Sequence, residues 1–224
     1  LNYKKTTNNV FTIAHELGHA LHTYHSNKYQ PQSKADYRIF VAEVASTVNE
    51  VLLLKYLLKN SDDKKLKKYL LSYYTDMIKS TLFRQTQFAE FEYAAHTMAE
   101  EGKPLTKDAL NEVYYNLNKK YYGRSVVSDE EIAYEWARIP HFYNAFYVYK
   151  YATGITSAIT IAERIYAEGE VAVKDYFKFL SSGGSDSPVE LLKLAGVDLT
   201  KKEPFKRAME SFKEALDEYE AIEL

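Results

Sequence analysis

Apolar residues recur at spacings of three and four along nearly the whole chain, and this periodicity limits the fold more than any other feature. Side chains at such spacings share one face of an α-helix, whereas a half-buried strand would alternate polar and apolar residues. No alternating run bounded by hairpin turns interrupts the pattern. The sequence therefore predicts an all-α fold.

Capping residues, glycines and prolines divide this periodic sequence into a series of helices. The predicted helices run from Asn8 or Asn9 to about Asn27, from about Tyr37 to Lys59, from Ser61 or Asp62 to Gly102, from Thr106 to Gly123, from Ser128 to before Pro140, from about Phe142 to Glu168, from about Glu170 to Leu180, from Ser187 to Gly196 and from about Pro204 to Ala221. Ser128 and Glu131 have the spacing of a capping box. No repeat or long linker is visible, so residues 1–224 are predicted to form a single helical domain.

Charge and cysteine content exclude several classes of partner. The net charge of −2 provides no strong field for nucleic acid or an anionic membrane surface, so neither is expected to bind. The 224 residues contain no cysteine, which excludes disulfides and thiolate metal sites and fits a reducing, cytoplasmic location. No apolar run approaches the roughly 18 residues of a membrane-spanning helix.

The densest motif lies near the start, in "TIAHELGHALHTYH" at residues 12–25. His15, Glu16 and His19 form H-E-x-x-H, and on a helix the two histidines stack one turn apart on one face. Two imidazoles so placed can bind one zinc ion, while the glutamate can act as general base towards a water molecule at that ion. The motif therefore predicts a hydrolytic zinc site that needs one more protein ligand.

Two further histidines of the same stretch are poor candidates for that third ligand. His25 lies six residues after His19, as in the metzincin pattern, but His22 occupies the position of the glycine that turns the chain there. On a continuous helix His25 is about 600° around the axis from His19. His22 is roughly on the motif face, where a hydrogen-bonding or space-filling role is favoured over ligation.

An acidic residue on the next predicted helix is the better candidate. Glu43 lies in the apolar sequence "YRIFVAEVASTVNEVLLL", and a carboxylate in such surroundings requires a cation or hydrogen bonds. Glu50 lies two turns further along the same face and is the alternative ligand. It could instead accept the second ring N–H of a metal-bound histidine.

A second dense stretch, "RIPHFYNAFYVYKYATG" at residues 138–154, contains one histidine and four tyrosines. These residues are His141, Tyr143, Tyr147, Tyr149 and Tyr151. A phenol or imidazole N–H directed at the oxyanion of peptide hydrolysis stabilises it by a few kcal/mol. Because spacings of two cannot all face one way on a helix, one or two of these side chains are expected to act in catalysis and the others to pack.

Together, "HELGHALH", "FVAEVASTVNE", "IPHFYNAFYVYKYATG" and "SSGGSDSPVELLKLAGVD" resemble oligoendopeptidase F, a group of thimet-oligopeptidase-like zinc metallopeptidases. The resemblance extends over essentially all 224 residues. It implies a multi-helix zincin-type (gluzincin) catalytic domain, in which the H-E-x-x-H helix packs on a glutamate-bearing helix. It also implies that His15, His19 and Glu43 bind one zinc ion and that Glu16 is the general base.

The resemblance further assigns roles in the second stretch. His141 and Tyr149 correspond best to the family's catalytic histidine and tyrosine, and Tyr143 and Tyr147 to residues that bind substrate. Matching the thimet-type relatives requires a shift of a few residues here, which leaves the individual tyrosine roles open.

Members of the resembled group are much longer and enclose a channel that admits short, unstructured peptides. The chain resembles their C-terminal, zinc-bearing part, so short oligopeptides and a missing N-terminal half are the expected partners. The alternative is a non-catalytic helical interaction module, or an inactive fragment with a bound metal. Structural zinc sites usually have four protein ligands, and the open set of three ligands and a base favours the enzyme.

Overall fold

The computed structural model describes residues 2–223, and every regular element within that range is helical. The α-helices are α1 (Thr7–Tyr29), α2 (Gln32–Ala35), α3 (Ile39–Asn60), α4 (Lys64–Ile78), α5 (Arg84–Glu100), α6 (Lys107–Tyr122), α7 (Tyr149–Glu168), α8 (Glu170–Leu180), α9 (Pro188–Leu194) and α10 (Glu203–Ala221). A π-helical turn covers Lys79–Phe83, and 3₁₀-helices cover Glu130–Arg138 and Pro140–Tyr143. The all-α prediction is confirmed.

Helix boundaries set by local chemistry agree with the sequence. Thr106 caps α6, where its hydroxyl oxygen accepts from Ala109 N at 3.3 Å, and Gly123 ends that helix with φ 70°. Ser187 caps α9 by accepting from Glu190 N at 3.4 Å. In each case a side chain or a glycine satisfies the helix end within a few residues of sequence.

Other helix starts differ from the prediction. Thr6, rather than Asn8 or Asn9, caps α1, because its hydroxyl oxygen accepts from Asn9 N at 3.4 Å. Asp63 immediately precedes α4, and its carboxylate accepts from the N–H groups of the second and third residues that follow it. The long third helix predicted up to Gly102 is divided by the π-helical turn between α4 and α5.

The predicted capping box at Ser128 is wrong. Its hydroxyl donates to Asn118 Oδ1 at 2.8 Å. The following segment forms a 3₁₀-helix preceded by Asp129, whose side chain makes no capping bond. A contact with α6, ten residues earlier in the chain, has replaced the local one.

The helix predicted from about Phe142 begins only at Tyr149. Phe146 has a left-handed backbone, with φ 55°, which an α-helix cannot contain. Residues 144–148 therefore form a loop between the second 3₁₀-helix and α7.

Contacts divide the described chain into two compact units. Unit 1 contains the residues up to Ile78 and those from Thr153, and unit 2 is Lys79–Ala152. The core of unit 1 joins α3, α7, α8 and α9 and includes Val44, Val48, Ile161, Phe179 and Leu192. The core of unit 2 contains Phe88, Phe91, Tyr114, Ile139 and Val148. A single catalytic domain over residues 1–224 stays a prediction.

Within residues 2–223, no helix combines the length and apolar character needed to cross a membrane.

Candidate metal centre

The helices α1 and α3 approach one another at backbone distance, and Gly18 is the reason. A Cβ atom at this position would lie 2.5 Å from Ser46 Cα and 2.6 Å from Ala45 O, closer than atoms can pack. The side chain of Asn49 donates from Nδ2 to Ala14 O at 3.1 Å and links the two helices one turn away. This close packing brings side chains of α3 to the H-E-x-x-H face of α1.

Three ligand-type side chains converge there, on His15, His19 and Glu43. The two Nε2 atoms lie 3.1 Å apart. Glu43 Oε2 lies 3.4 Å from His15 Nε2 and 3.6 Å from His19 Nε2. Ligand atoms about 2.1 Å from a tetrahedral zinc ion are separated by about 3.4 Å, so these distances fit such an ion.

Glu50 lies on the far side of the same imidazole. His15 Nδ1 donates to Glu50 Oε1 at 2.6 Å, which leaves Nε2 facing His19 and Glu43. This hydrogen bond selects the tautomer and ring orientation suited to metal binding. Of the two roles considered for Glu50, the structure places it as the hydrogen-bond acceptor.

The site favours positive charge. The pKa of His15 is raised to about 10. The contact with Glu43 is the largest cause and the hydrogen bond to Glu50 the second, while burial acts in the opposite direction. The pKa of Glu43 is lowered, chiefly by its contact with His15. Two carboxylates around one half-buried imidazole thus create a negative environment that a divalent cation would neutralise.

Glu16 follows His15 on α1, and its side chain is exposed. It lies about 100° around the helix from His15 and about 60° from His19, on the side away from Gly18. Glu16 therefore lies beside the helix face that carries the two metal-binding histidines and is not itself part of the ligand group.

Neither remaining histidine of α1 is in the ligand group. His22 is 1% exposed, and its ring stacks on Tyr37 with centroids 3.7 Å apart. His25 packs against Phe177, with centroids 4.9 Å apart. Because α1 continues unbroken to Tyr29, the turn that a metzincin site requires is absent from it.

Two polar residues of α3 support the site and were not singled out in the sequence. Ser46 donates from Oγ to Glu43 Oε2 at 3.3 Å, and Asn49 makes the link to α1 described above. With Glu43 and Glu50 they lie at spacings of three, three and one along a mainly apolar helix. That spacing is the signal by which they could have been found.

The histidine and tyrosine cluster lies in unit 2. His141, Tyr147 and Tyr151 form a three-ring group with centroids 5.7 to 5.9 Å apart, and Tyr151 OH lies 3.4 Å from His141 Nε2. Tyr143 is 87% exposed, and Tyr149 is 37% exposed at the start of α7. Tyr151, which received no role from the sequence, is thus a member of the cluster.

Comparison with known proteins identifies the family of this chain. The sequence profile of Peptidase family M3 matches residues 1–211. The chain is 50% identical over 222 residues to Oligopeptidase PepF of Bacillus subtilis, covering 99% of this chain and 33% of that protein. It is 48% identical over 224 residues to an oligoendopeptidase F homolog of Borreliella burgdorferi, of which it covers 38%.

A solved structure agrees with these sequence matches. The crystal structure of oligoendopeptidase-F from Enterococcus faecium superposes with a TM-score of 0.86 at 44% identity, over 96% of this chain and 39% of that one. The chain therefore spans between a third and two-fifths of the length of these relatives.

Proposed function

This chain belongs to peptidase family M3, and from that premise we propose that it carries the catalytic centre of a zinc metalloendopeptidase that cleaves short oligopeptides. The observation that carries the proposal is the convergence of His15, His19 and Glu43 at separations that suit three ligands of one tetrahedral ion. Three protein ligands with an adjacent glutamate are typical of a catalytic rather than a structural zinc site.

The residues have distinct roles in this proposal. His15, His19 and Glu43 hold the ion, which when bound supplies Lewis acidity towards water and the scissile carbonyl. Glu16 accepts a proton from the attacking water and then donates it to the amine of the leaving peptide. Glu50 holds the His15 ring in the ligand orientation through its 2.6 Å hydrogen bond.

The resemblance to oligoendopeptidase F supports roles for residues of unit 2. His141 and Tyr149 donate hydrogen bonds to the oxyanion that forms during hydrolysis, and Tyr143 and Tyr147 bind the peptide. Tyrosine suits this task because it combines an apolar ring with a polar hydroxyl group.

The partners are short oligopeptides and the additional part that the longer relatives possess. This chain spans only 33% of the Bacillus subtilis relative, and the remainder would form one wall of a peptide channel. Without a counterpart of that remainder, the zinc site is expected to have lower activity and weaker discrimination among substrates than in the longer relatives.

The decisive experiment combines metal analysis with peptide cleavage. The chain should contain one zinc ion per molecule and cleave an internally quenched oligopeptide until a chelator is added. Glu16→Gln should retain zinc and lose about 10²- to 10⁴-fold in kcat/KM, the usual contribution of a general base. Glu112→Gln, which alters another exposed helical glutamate, is the matched control.

Two results would contradict the proposal. Cleavage by Glu16→Gln at the parent rate would remove Glu16 from the mechanism. Stoichiometric zinc without cleavage of any peptide would identify the chain as a non-catalytic metal-binding module.

A further inference from the structure

The loop that carries His141 and Tyr147 is anchored at both ends in the core of unit 2. Ile139 and Val148 are 8% and 1% exposed, and both belong to that core. Phe142 packs against Phe91, with ring centroids 5.2 Å apart. The segment between these anchors is mostly exposed, so its conformation requires a contact of its own.

Phe146 has the most unusual backbone conformation in this loop. Its φ of 55° makes it the only non-glycine residue with a left-handed backbone in residues 2–223. Such a conformation is unfavourable for a residue with a large side chain. It lies in a turn immediately before Tyr147, and it persists only if surrounding contacts offset the strain.

Two residues of α5 supply those contacts. Glu92 is 5% exposed, and its Oε1 accepts a hydrogen bond from Phe146 N at 2.6 Å. His96, one helical turn further on, packs its ring on that of Phe146 with centroids 4.6 Å apart. We call Glu92 and His96 the α5 clamp, because Glu92 contacts the backbone of Phe146 and His96 contacts its ring.

A buried carboxylate is costly unless it is hydrogen-bonded, which makes a space-filling role for Glu92 unfavourable. A charged acceptor forms a stronger hydrogen bond to a backbone N–H than a neutral one does. The bond fixes the left-handed turn, and the turn directs Tyr147 back towards His141, where the ring centroids are 5.7 Å apart. Tyr151 completes the group at 5.8 Å from Tyr147.

We propose that Glu92 and His96 are positioning residues, which hold the loop so that His141, Tyr147 and Tyr151 form one substrate-facing cluster. This role rests on the proposed function, in which His141 and Tyr147 act on the bound peptide. Neither clamp residue touches substrate, and each acts through Phe146.

The test follows the cluster by two independent measurements in the zinc-loaded chain. The first is the NMR signal of the His141 ring, assigned with His141→Asn, which is sensitive to the neighbouring tyrosine rings. The second is kcat/KM on an internally quenched peptide, with zinc content measured in parallel. The variants are Glu92→Leu, Glu92→Gln and His96→Ala, and Glu90→Leu is the control from the same helix.

Glu92→Leu should shift or broaden the His141 signal and lower kcat/KM by about 10- to 100-fold, the cost of misplacing groups around a reacting bond. Zinc content should not change. Glu92→Gln keeps an oxygen acceptor and should retain kcat/KM within about threefold. His96→Ala should give an intermediate loss, and Glu90→Leu should leave the His141 signal unchanged.

An unchanged His141 signal in folded Glu92→Leu would overturn the proposal. A shifted signal with parental kcat/KM would also overturn it, because the cluster would then have no part in catalysis. If Glu92→Leu does not fold, Glu92→Gln and His96→Ala decide the question by the same criteria. If the parent chain cleaves no peptide, the proposed function fails separately, and the NMR signal alone decides whether the clamp holds the cluster.

Discussion

Glu43 and Glu50 lie seven residues apart on α3 and approach opposite nitrogens of His15. Seven residues are close to two full turns, so both carboxylates project from one face. Glu43 Oε2 lies 3.4 Å from Nε2, and Glu50 Oε1 lies 2.6 Å from Nδ1. One residue can therefore bind the ion directly while the other orients the imidazole.

These two roles predict different losses of zinc affinity. Glu50→Gln should weaken zinc binding by about 10- to 100-fold, as is usual when a partner of a metal-bound histidine is removed. Glu43→Gln should weaken it by more, because a neutral amide replaces an anionic ligand. Competition with a chromophoric chelator at fixed pH measures both. If Glu43→Gln bound zinc like the parent while Glu50→Gln lost it, the two assignments would have to be exchanged.

At the scale of helices, the site depends on how closely α1 and α3 pack. Gly18 lies between the two metal-binding turns of α1, facing the backbone at Ala45 and Ser46. Backbone atoms cannot rotate away as a side chain can, so any Cβ at this position must separate the helices. The separation of the helices sets the distance between the histidines and Glu43.

Gly18→Ala should consequently destabilise the protein and weaken zinc binding together. The added methyl group would meet Ser46 Cα at 2.5 Å, and such overpacking costs about 1 to 3 kcal/mol. The matched control is Gly154→Ala on α7, where the nearest heavy atom is Glu43 Cβ at 3.9 Å. Urea denaturation should show that the control is as stable as the parent or slightly more stable. Zinc titration should show that the control binds zinc as the parent does. Equal stability of Gly18→Ala and the parent would refute the packing argument.

For the molecule as a whole, the histidines of α1 separate into two environments. His15 lies beside two carboxylates, whereas His22 is 1% exposed and stacks on Tyr37, with Nδ1 lacking a hydrogen-bond partner. Burial, together with the charges of His19 and His25, lowers the pKa of His22 to about 3. A neutral imidazole is therefore built into the interface between α1 and its neighbours.

This buried imidazole predicts a loss of stability in mild acid. Between pH 6.5 and 3 the unfolded chain takes up a proton on His22 and the folded protein does not, so the free energy of unfolding falls as the pH decreases. The contribution approaches about 1.4 kcal/mol per pH unit. Urea denaturation at several pH values should show a shallower decline for His22→Leu than for the parent.

The core variant Val48→Ala serves as the comparison for that measurement. It removes buried volume and no titratable group, so it should lower the free energy of unfolding by the same amount at every pH. Parallel pH profiles for His22→Leu and the parent would show that His22 is not the group responsible.

The features that the sequence determined by itself are those whose physics is local. The period of three and four residues predicts helices, and the spacing of His15 and His19 places two imidazoles on one helical face in any fold. Thr106 and Ser187 cap helices because their partners lie three residues away. Such interactions require no knowledge of the rest of the chain.

The tertiary structure decided what depends on distant partners. Sequence spacing alone left Glu43 and Glu50 as alternatives, and only the close packing of α1 on α3 assigns a nitrogen of His15 to each. Ser128 has a capping sequence, yet its hydroxyl bonds to Asn118. Phe146 lies within a helical pattern, yet Glu92 is bonded to its N–H in a left-handed turn. In each case the energy of a long-range contact exceeds the small local preference, and no local pattern records that energy.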